Sequence, residues 1–234
     1  MNRVAEIKQE IQGLDAIGIL TYVDTKFGSN AVFTTSFGIE DQVITHLLAS
    51  IRSQAQLITL DTGRLFPETY YVWNRTLETY RMPIRAYYPN TSAVEELVNK
   101  KGPSSFYQSI EDRKECCYIR KIEPLKRAIH GYEVWITGIR REQSDNRDQM
   151  EPVEWDASNQ IIKIHPLFDW TLAEVELQLK NNFIPYNPLH DKGFPSIGCQ
   201  PCTRAIQAGE DFRAGRWWWE DKSKKECGLH QITK

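Results

Sequence analysis

The chain has 234 residues, 41% of them apolar and 26% charged, and its 29 basic and 31 acidic side chains leave a formal charge of −2. That length suits one large domain with at most a short appendage, and it buries a core without disulfide staples. The near-neutral balance argues against nucleic-acid binding. No apolar run reaches the ~18 residues of a membrane span, and MNRVAEIKQEIQGLD lacks a signal-peptide core, so a cytoplasmic protein is expected.

Strand-like stretches run at Ala31–Thr35, Leu57–Leu60, Ile84–Tyr88 and Val134–Thr137, with a shorter one near Ile161–Ile164. Helical patterns lie between them. Over Glu40–Ser50, Val43, Ile44, Leu47 and Leu48 share a face. Pro67 suits a first helical turn, and Tyr70, Trp73, Leu77 and Tyr80 then form a stripe. Thr171 with Glu174 reads as a capping box ahead of Leu172, Val175 and Leu179. Strand alternating with helix predicts an α/β fold with a mostly parallel, doubly wound sheet, whose ligands bind outside the carboxyl ends of the strands. From Asn187 onward periodicity fades, and Pro, Gly, Cys, Arg and Trp crowd together. An irregular C-terminal segment over the functional edge is expected, with a catalytic body over residues 1–208 and a mobile tail over 209–234.

Three strand ends carry polar turns. Ser36, Phe37 and Gly38 lead into Ile39-Glu40-Asp41, a strand–turn–helix junction that suits an anion, or is simply a tight turn. Asp61, Thr62, Gly63 and Arg64 end the second strand; they suit a nucleotide, or a loop that caps the next helix. Gly138 precedes Arg140 and Arg141, with Arg147 beyond, as in an anion clamp or a solvated charged loop.

Five cysteines stand at Cys116, Cys117, Cys199, Cys202 and Cys227. In a reducing compartment an odd number split into an adjacent pair, a CxxC and a singleton reads as four metal ligands and one separate thiol. Adjacent cysteines aim more easily at a large object than at one ion, and a four-iron cluster takes one thiolate per iron, so geometry favours iron–sulfur over zinc. Lys114, Arg120 and Lys121 would offset the cluster's negative charge. Cys227 has Lys224, Lys225 and His230 nearby, and cations favour the thiolate. Arg213 and Arg216 flank Trp217, Trp218 and Trp219, which cannot all face one core.

Seven segments in order, SFGIEDQ, LDTGRLFPETY, CCYIRK, TGIRREQS, IGCQPCT, GRWWWE and KECGLH, together resemble the assimilatory adenylylsulfate and phosphoadenylylsulfate reductases, and most closely the cluster-containing bacterial and plant-type branch. The resemblance spans about Ser36 to His230. It implies a Rossmann-like adenine nucleotide alpha-hydrolase-type fold and a [4Fe-4S] cluster on Cys116, Cys117, Cys199 and Cys202. Cys227 would be the nucleophile. Ser36, Phe37, Gly38, Asp61, Thr62, Gly63, Arg64, Arg140, Arg141 and Arg147 would hold the nucleotide, with Lys121, Arg213, Arg216 and His230 completing the site. The implied reaction converts adenylylsulfate to sulfite and AMP through an S-sulfocysteine. With four cysteines on the cluster, the reductant must come from outside, and the family implies thioredoxin or a similar dithiol protein. Lys225 stands where many relatives carry Thr. The rival readings are phosphoadenylylsulfate as substrate, a nucleotide-binding module with structural zinc, and a tRNA-thiolation enzyme of related fold. A homo-oligomer remains open.

Overall fold

The computed structural model describes residues 2–143 and 150–220. Helices α1 (Asn2–Glu10) and α2 (Ala16–Phe27) lead into strand β1 (Ala31–Thr35). There follow α3 (Ile39–Ser50), β2 (Gln56–Leu60), α4 (Pro67–Tyr80), β3 (Ile84–Tyr87), α5 (Thr91–Lys101), α6 (Ile110–Cys117) and α7 (Glu123–Ile129). The remainder is β4 (Val134–Ile136), β5 (Val153–Asp156), β6 (Ile161–Ile164) and α8 (Leu172–Asn181). Among the described residues no helix is long and apolar enough to cross a membrane.

The strands form one sheet in the order β3-β2-β1-β4-β6-β5, parallel except for β5, which runs antiparallel to β6. This is the doubly wound α/β sheet expected from the alternation. Strand order reverses between β1 and β4, which opens a crevice at their carboxyl ends. The period of two sorts the strand side chains between two cores. Ala31, Phe33, Leu57, Val134, Ile136, Ile162 and Ile164 pack with α1, α2, α3 and α8, while Val32, Ile58, Trp135 and Ile161 meet Leu125, Ala128 and Ile129 of α7.

Two features depart from the sequence reading. Strand β5 was not foreseen, because its buried Val153 and Asp156 bracket Glu154 and an exposed Trp155. Asp156 is held by Lys163 at 2.7 Å, and the Lys163 ammonium lies 5.0 Å from the Trp135 ring centroid. On α4 the buried line is Thr69, Val72 and Thr76, not Tyr70, Trp73, Leu77 and Tyr80. Threonine fits there because its hydroxyl is satisfied locally: Thr76 donates to the Val72 carbonyl and accepts from the Gln42 amide. The capping box stands as read, with the Glu174 carboxylate accepting from the Thr171 N–H at 2.7 Å.

Candidate active site

The turn after β1 closes on itself. Asp41, in the first turn of α3, accepts from the Ser36 N–H at 2.6 Å and the Ser36 hydroxyl at 2.8 Å. Burial pushes the Asp41 carboxyl up to about 6, against those hydrogen bonds and nearby Lys121, which pull it down. Phe37 takes a left-handed backbone (φ 60°), and its ring stacks 5.5 Å from Trp73. Gly138, at the end of β4, abuts this turn so closely that a Cβ would collide with the Asp41 carboxylate. The absent side chain lets the β1 and β4 ends form one wall.

The loop after β2 is bound to the cysteines. The Thr62 hydroxyl lies 3.3 Å from Cys199 Sγ, and the Gln200 N–H donates to the Arg64 carbonyl at 2.8 Å. Arg120 donates to the Thr62 carbonyl at 2.8 Å. Asp61 is used within its own loop, accepting from the Gly63 N–H and the Tyr70 hydroxyl. Arg64 donates to the Pro103 carbonyl, with its guanidinium 5.0 Å from the Phe106 ring centroid.

Cys116 and Cys117 end α6, and the chain then widens into a π-helical turn over Tyr118–Ile122 that carries Arg120 and Lys121. Such turns concentrate at functional sites, because the extra residue re-aims the side chains that follow. Cys116 and Cys202 are buried beside Leu97, Phe106 and Trp217, with Cys117 and Cys199 packed against them. None of these four cysteines is in a disulfide. Burial raises the Cys116 thiol and, with Cys199 beside it, pushes Cys202 up to about 12, while Arg120 and Arg64 oppose at Cys116 and Arg216 and Arg64 at Cys202.

This donor set fits a multi-iron cluster. Among the described residues no group of His, Cys, Asp or Glu is arranged to hold a single metal ion, but a cluster needs only one thiolate per iron. The Nε atoms of Arg120 and Arg216 are buried with no hydrogen-bond partner among the described residues, which leaves two donors beside the thiols for sulfur or an anion to satisfy. A Cβ on Gly198 would strike the Arg216 guanidinium, so glycine there lets that charge lie against the CxxC loop.

One cleft joins these parts. Its lining includes Ser36, Phe37, Gly38, Thr62, Arg64, Lys121, Arg213 and Arg216 together with the four cysteines. Asp61 and Gly63, in the same β2 loop as Thr62 and Arg64, are not among its lining residues. Arg140 and Arg141 do not line it. The Arg140 guanidinium is buried and donates to Glu40 at 2.9 Å, so it braces the wall, where an anion clamp or a solvated charged loop was expected. Arg141 pairs with Asp169 at 2.7 Å and lies over Phe168, away from the cleft. Arg147, Cys227 and His230 lie outside the described residues. Of the tail expected over residues 209–234, Ala214, Gly215, Arg216 and Trp217 are buried, and residues 221–234 lie outside the described residues. His190 was missed from sequence. It lines the cleft with Nε2 buried and unpartnered among the described residues, and burial holds its imidazole below the usual range, toward the neutral form. Nothing in Pro188-Leu189-His190-Asp191 marks it beforehand.

A parallel sheet with a basic, thiol-lined crevice at its switch point defines a nucleotide-binding α/β protein equipped for sulfur chemistry. Residues 30–205 match the phosphoadenosine phosphosulfate reductase domain, and the chain belongs to that family. It is 49% identical over 224 residues to the adenosine 5'-phosphosulfate reductase of Sinorhizobium fredii (strain NBRC 101917 / NGR234), covering 96% of this chain and 89% of that one. Its identity to the adenosine 5'-phosphosulfate reductase of Allochromatium vinosum is 47% over 216 residues, covering 92% and 84%. Among solved structures it is similar to the phosphoadenylyl-sulfate reductase of Candida auris in a phosphate complex, with a TM-score of 0.74, 27% identity, and coverage of 88% and 97%. Yeast FAD synthetase, at 17% identity and a TM-score of 0.53 over 87% of this chain and 74% of that one, shares the fold alone.

Proposed function

We propose that this chain reduces adenosine 5'-phosphosulfate to sulfite and AMP in sulfate assimilation, using Cys227 as nucleophile and thioredoxin or a similar dithiol protein as reductant, in the cytoplasm. The carrying observation is the single cleft that brings the β1 and β4 strand ends, four thiols and the cations Arg64, Lys121, Arg213 and Arg216 together. The nucleotide occupies the strand-end wall, with its phosphosulfate toward the cations. Substrate and thiolate are both anions, and fixed guanidinium and ammonium groups offset their repulsion. The Cys227 thiolate attacks the sulfate sulfur. An S–S bond forms, the S–O bond to the phosphate breaks, and its electron pair leaves with AMP. One thiolate of the dithiol partner then attacks Cys227 Sγ and expels sulfite. The partner's second thiolate closes a disulfide, so two thiols are oxidised as sulfur goes from the sulfate to the sulfite level.

Cys116, Cys117, Cys199 and Cys202 hold a [4Fe-4S] cluster in this reading, and the cluster supplies a fixed local charge beside the substrate. Arg64, Arg120 and Arg216 offset the thiolates. The chain divides into a nucleotide-binding body and a C-terminal tail carrying Cys227 and His230. The family's name and the Candida auris relative favour a second substrate, the 3'-phosphorylated nucleotide.

Incubation with adenylylsulfate and no reductant, followed by mass spectrometry, tests the reading. One added sulfo group on Cys227 is expected. No adduct with either nucleotide would overturn it. Faster addition from phosphoadenylylsulfate would reverse the substrate assignment.

A further inference from the structure

The loop that follows α8 is tied to the helices beneath it. The Gln42 amide of α3 donates to the Pro185 carbonyl at 2.6 Å, and the Asn187 amide donates to the Thr69 hydroxyl of α4 at 3.2 Å. Asn187 also accepts from the Leu189 N–H at 3.0 Å with its side chain and from the His190 N–H at 3.0 Å with its carbonyl. A tight turn over His190–Lys192 ends at Gly193, whose left-handed backbone (φ 80°) returns the chain so that the Phe194 N–H meets the Leu189 carbonyl at 3.1 Å. Phe194 packs edge-on to Phe66, with ring centroids 5.7 Å apart. His190 is therefore held on both sides, and it lines the cleft together with Gly38, Glu40, Pro195 and Ser196.

The His190 Nε2 atom is buried with no hydrogen-bond partner among the described residues. The charged groups around it are already engaged. On α3, Glu40 accepts from Arg140 Nε at 2.9 Å and from the Gln143 amide at 2.8 Å, and Asp41 accepts twice from Ser36. Within the turn, Asp191 accepts from the Tyr186 hydroxyl at 3.0 Å, and Lys192 lies 4.0 Å from Glu68 of α4. Burial holds the imidazole below its usual range, while Glu40, the Phe194 backbone and Asp191 favour the charged ring. Arg64, Lys121, Arg213 and Arg216 draw an anion into the same cleft, and its charge adds to the influences that favour protonation. A neutral Nε2 turns a lone pair toward such an anion; a protonated one donates to it in a charge-assisted bond.

Resting on the reading of the cleft as an adenylylsulfate site, we infer that His190 is a further substrate-binding residue, whose Nε2 takes up a proton from solvent as the nucleotide enters and donates it in a hydrogen bond to an anionic oxygen of the 5'-phosphosulfate. The bond satisfies the one buried nitrogen of the ring that the fold leaves open. Nucleotide affinity is thereby linked to a proton. It falls as the pH rises above the range in which the empty cleft can supply a charged ring.

The test titrates AMP, which carries the 5'-phosphate without the reactive sulfate, into the full chain by calorimetry. Buffers of different ionisation enthalpy at about pH 6, about pH 7 and about pH 8 give the protons taken up with each AMP. The unmodified chain is compared with His190→Gln, so that titration of the AMP phosphate and of Asp41 is common to both. His46→Gln is the control, since His46 meets the Tyr80 hydroxyl at 3.3 Å and does not line the cleft. The unmodified chain and His46→Gln should take up more protons than His190→Gln, by up to about one per AMP. At about pH 6, His190→Gln should bind AMP about ten-fold more weakly, the worth of one hydrogen bond to a charged group. The deficit should narrow toward about pH 8, because there the ring must first gain its proton. Equal proton uptake or unchanged affinity overturns the inference. A deficit that stays constant with pH also overturns it, and would leave a neutral ring bonded to a hydroxyl. Equal weakening by His46→Gln would assign the effect to general destabilisation and overturn it too. Should His190→Gln fail to fold, His190→Asn carries the same expectations. If the unmodified chain binds no AMP, the functional reading fails and the inference with it, whereas AMP binding without the proton difference sinks the inference alone.

Discussion

Replacing Arg140 with methionine would leave the Glu40 carboxylate facing an apolar side chain in a place where it is about one-tenth exposed. Glu40 would keep one donor, the Gln143 amide at 2.8 Å. The Trp170 carbonyl would lose the Arg140 guanidinium at 3.3 Å. Removing one partner of a buried pair costs about 3–5 kcal/mol, because the other charge stays desolvated. For a chain of this length that lowers the thermal midpoint by roughly 6–20 °C. The double variant Arg140→Met with Glu40→Leu should recover most of the loss, since an apolar pair leaves no stranded charge. The assay pairs thermal unfolding with AMP binding below the transition. If Arg140 were instead a substrate ligand, the single variant would keep its stability and lose about ten-fold or more in nucleotide affinity, the worth of one charge-assisted hydrogen bond. That pattern would refute the assignment of Arg140 as a wall brace.

Asp41→Asn addresses the carboxyl held near 6. A carboxyl raised in the folded state makes the fold less stable as pH climbs from about 4 to about 6, by about 3 kcal/mol in all. The variant should therefore gain on the parent between pH 4.5 and pH 7 in urea unfolding, and a constant difference would contradict the buried carboxyl. Cys227→Ser should abolish sulfite formation while AMP still binds, as read by sulfite release and calorimetry; full activity would sink the nucleophile. Cys199→Ala should lose the cluster's visible absorption and lower stability, because the donor set falls to three, and an intact spectrum would refute the ligand assignment. Thr171→Ala removes the α8 cap and should cost about 1 kcal/mol, or a fall of some 2–4 °C in midpoint.

Local chemistry made much of this protein legible in its sequence. The inner parallel strands are rich in apolar and β-branched residues because both faces are covered, so β1, β2, β4 and β6 stood out by composition. The Thr171 box was readable because a cap is satisfied within four residues. The four pocket cysteines were readable because thiol chemistry is tied to residue type and spacing. Strand β5 was hidden, since an edge strand answers to its neighbour: Asp156 is buried with its carboxylate paired to Lys163, two places along β6 from the residue that faces it.

Tertiary structure alone decided which charges face the cleft. Arg140 and Arg141 are adjacent in the chain, yet one is buried against Glu40 and the other is turned outward to Asp169, a choice set by α3 and the loop before α8. It also decided that His190 would enter the wall, that Asp61 would close its own loop, and that Glu220 would meet Arg113 across 107 residues of chain. A side chain's type states which bonds it can make. Which bond it does make depends on the partner folding brings near, and no local pattern encodes a partner a hundred residues away.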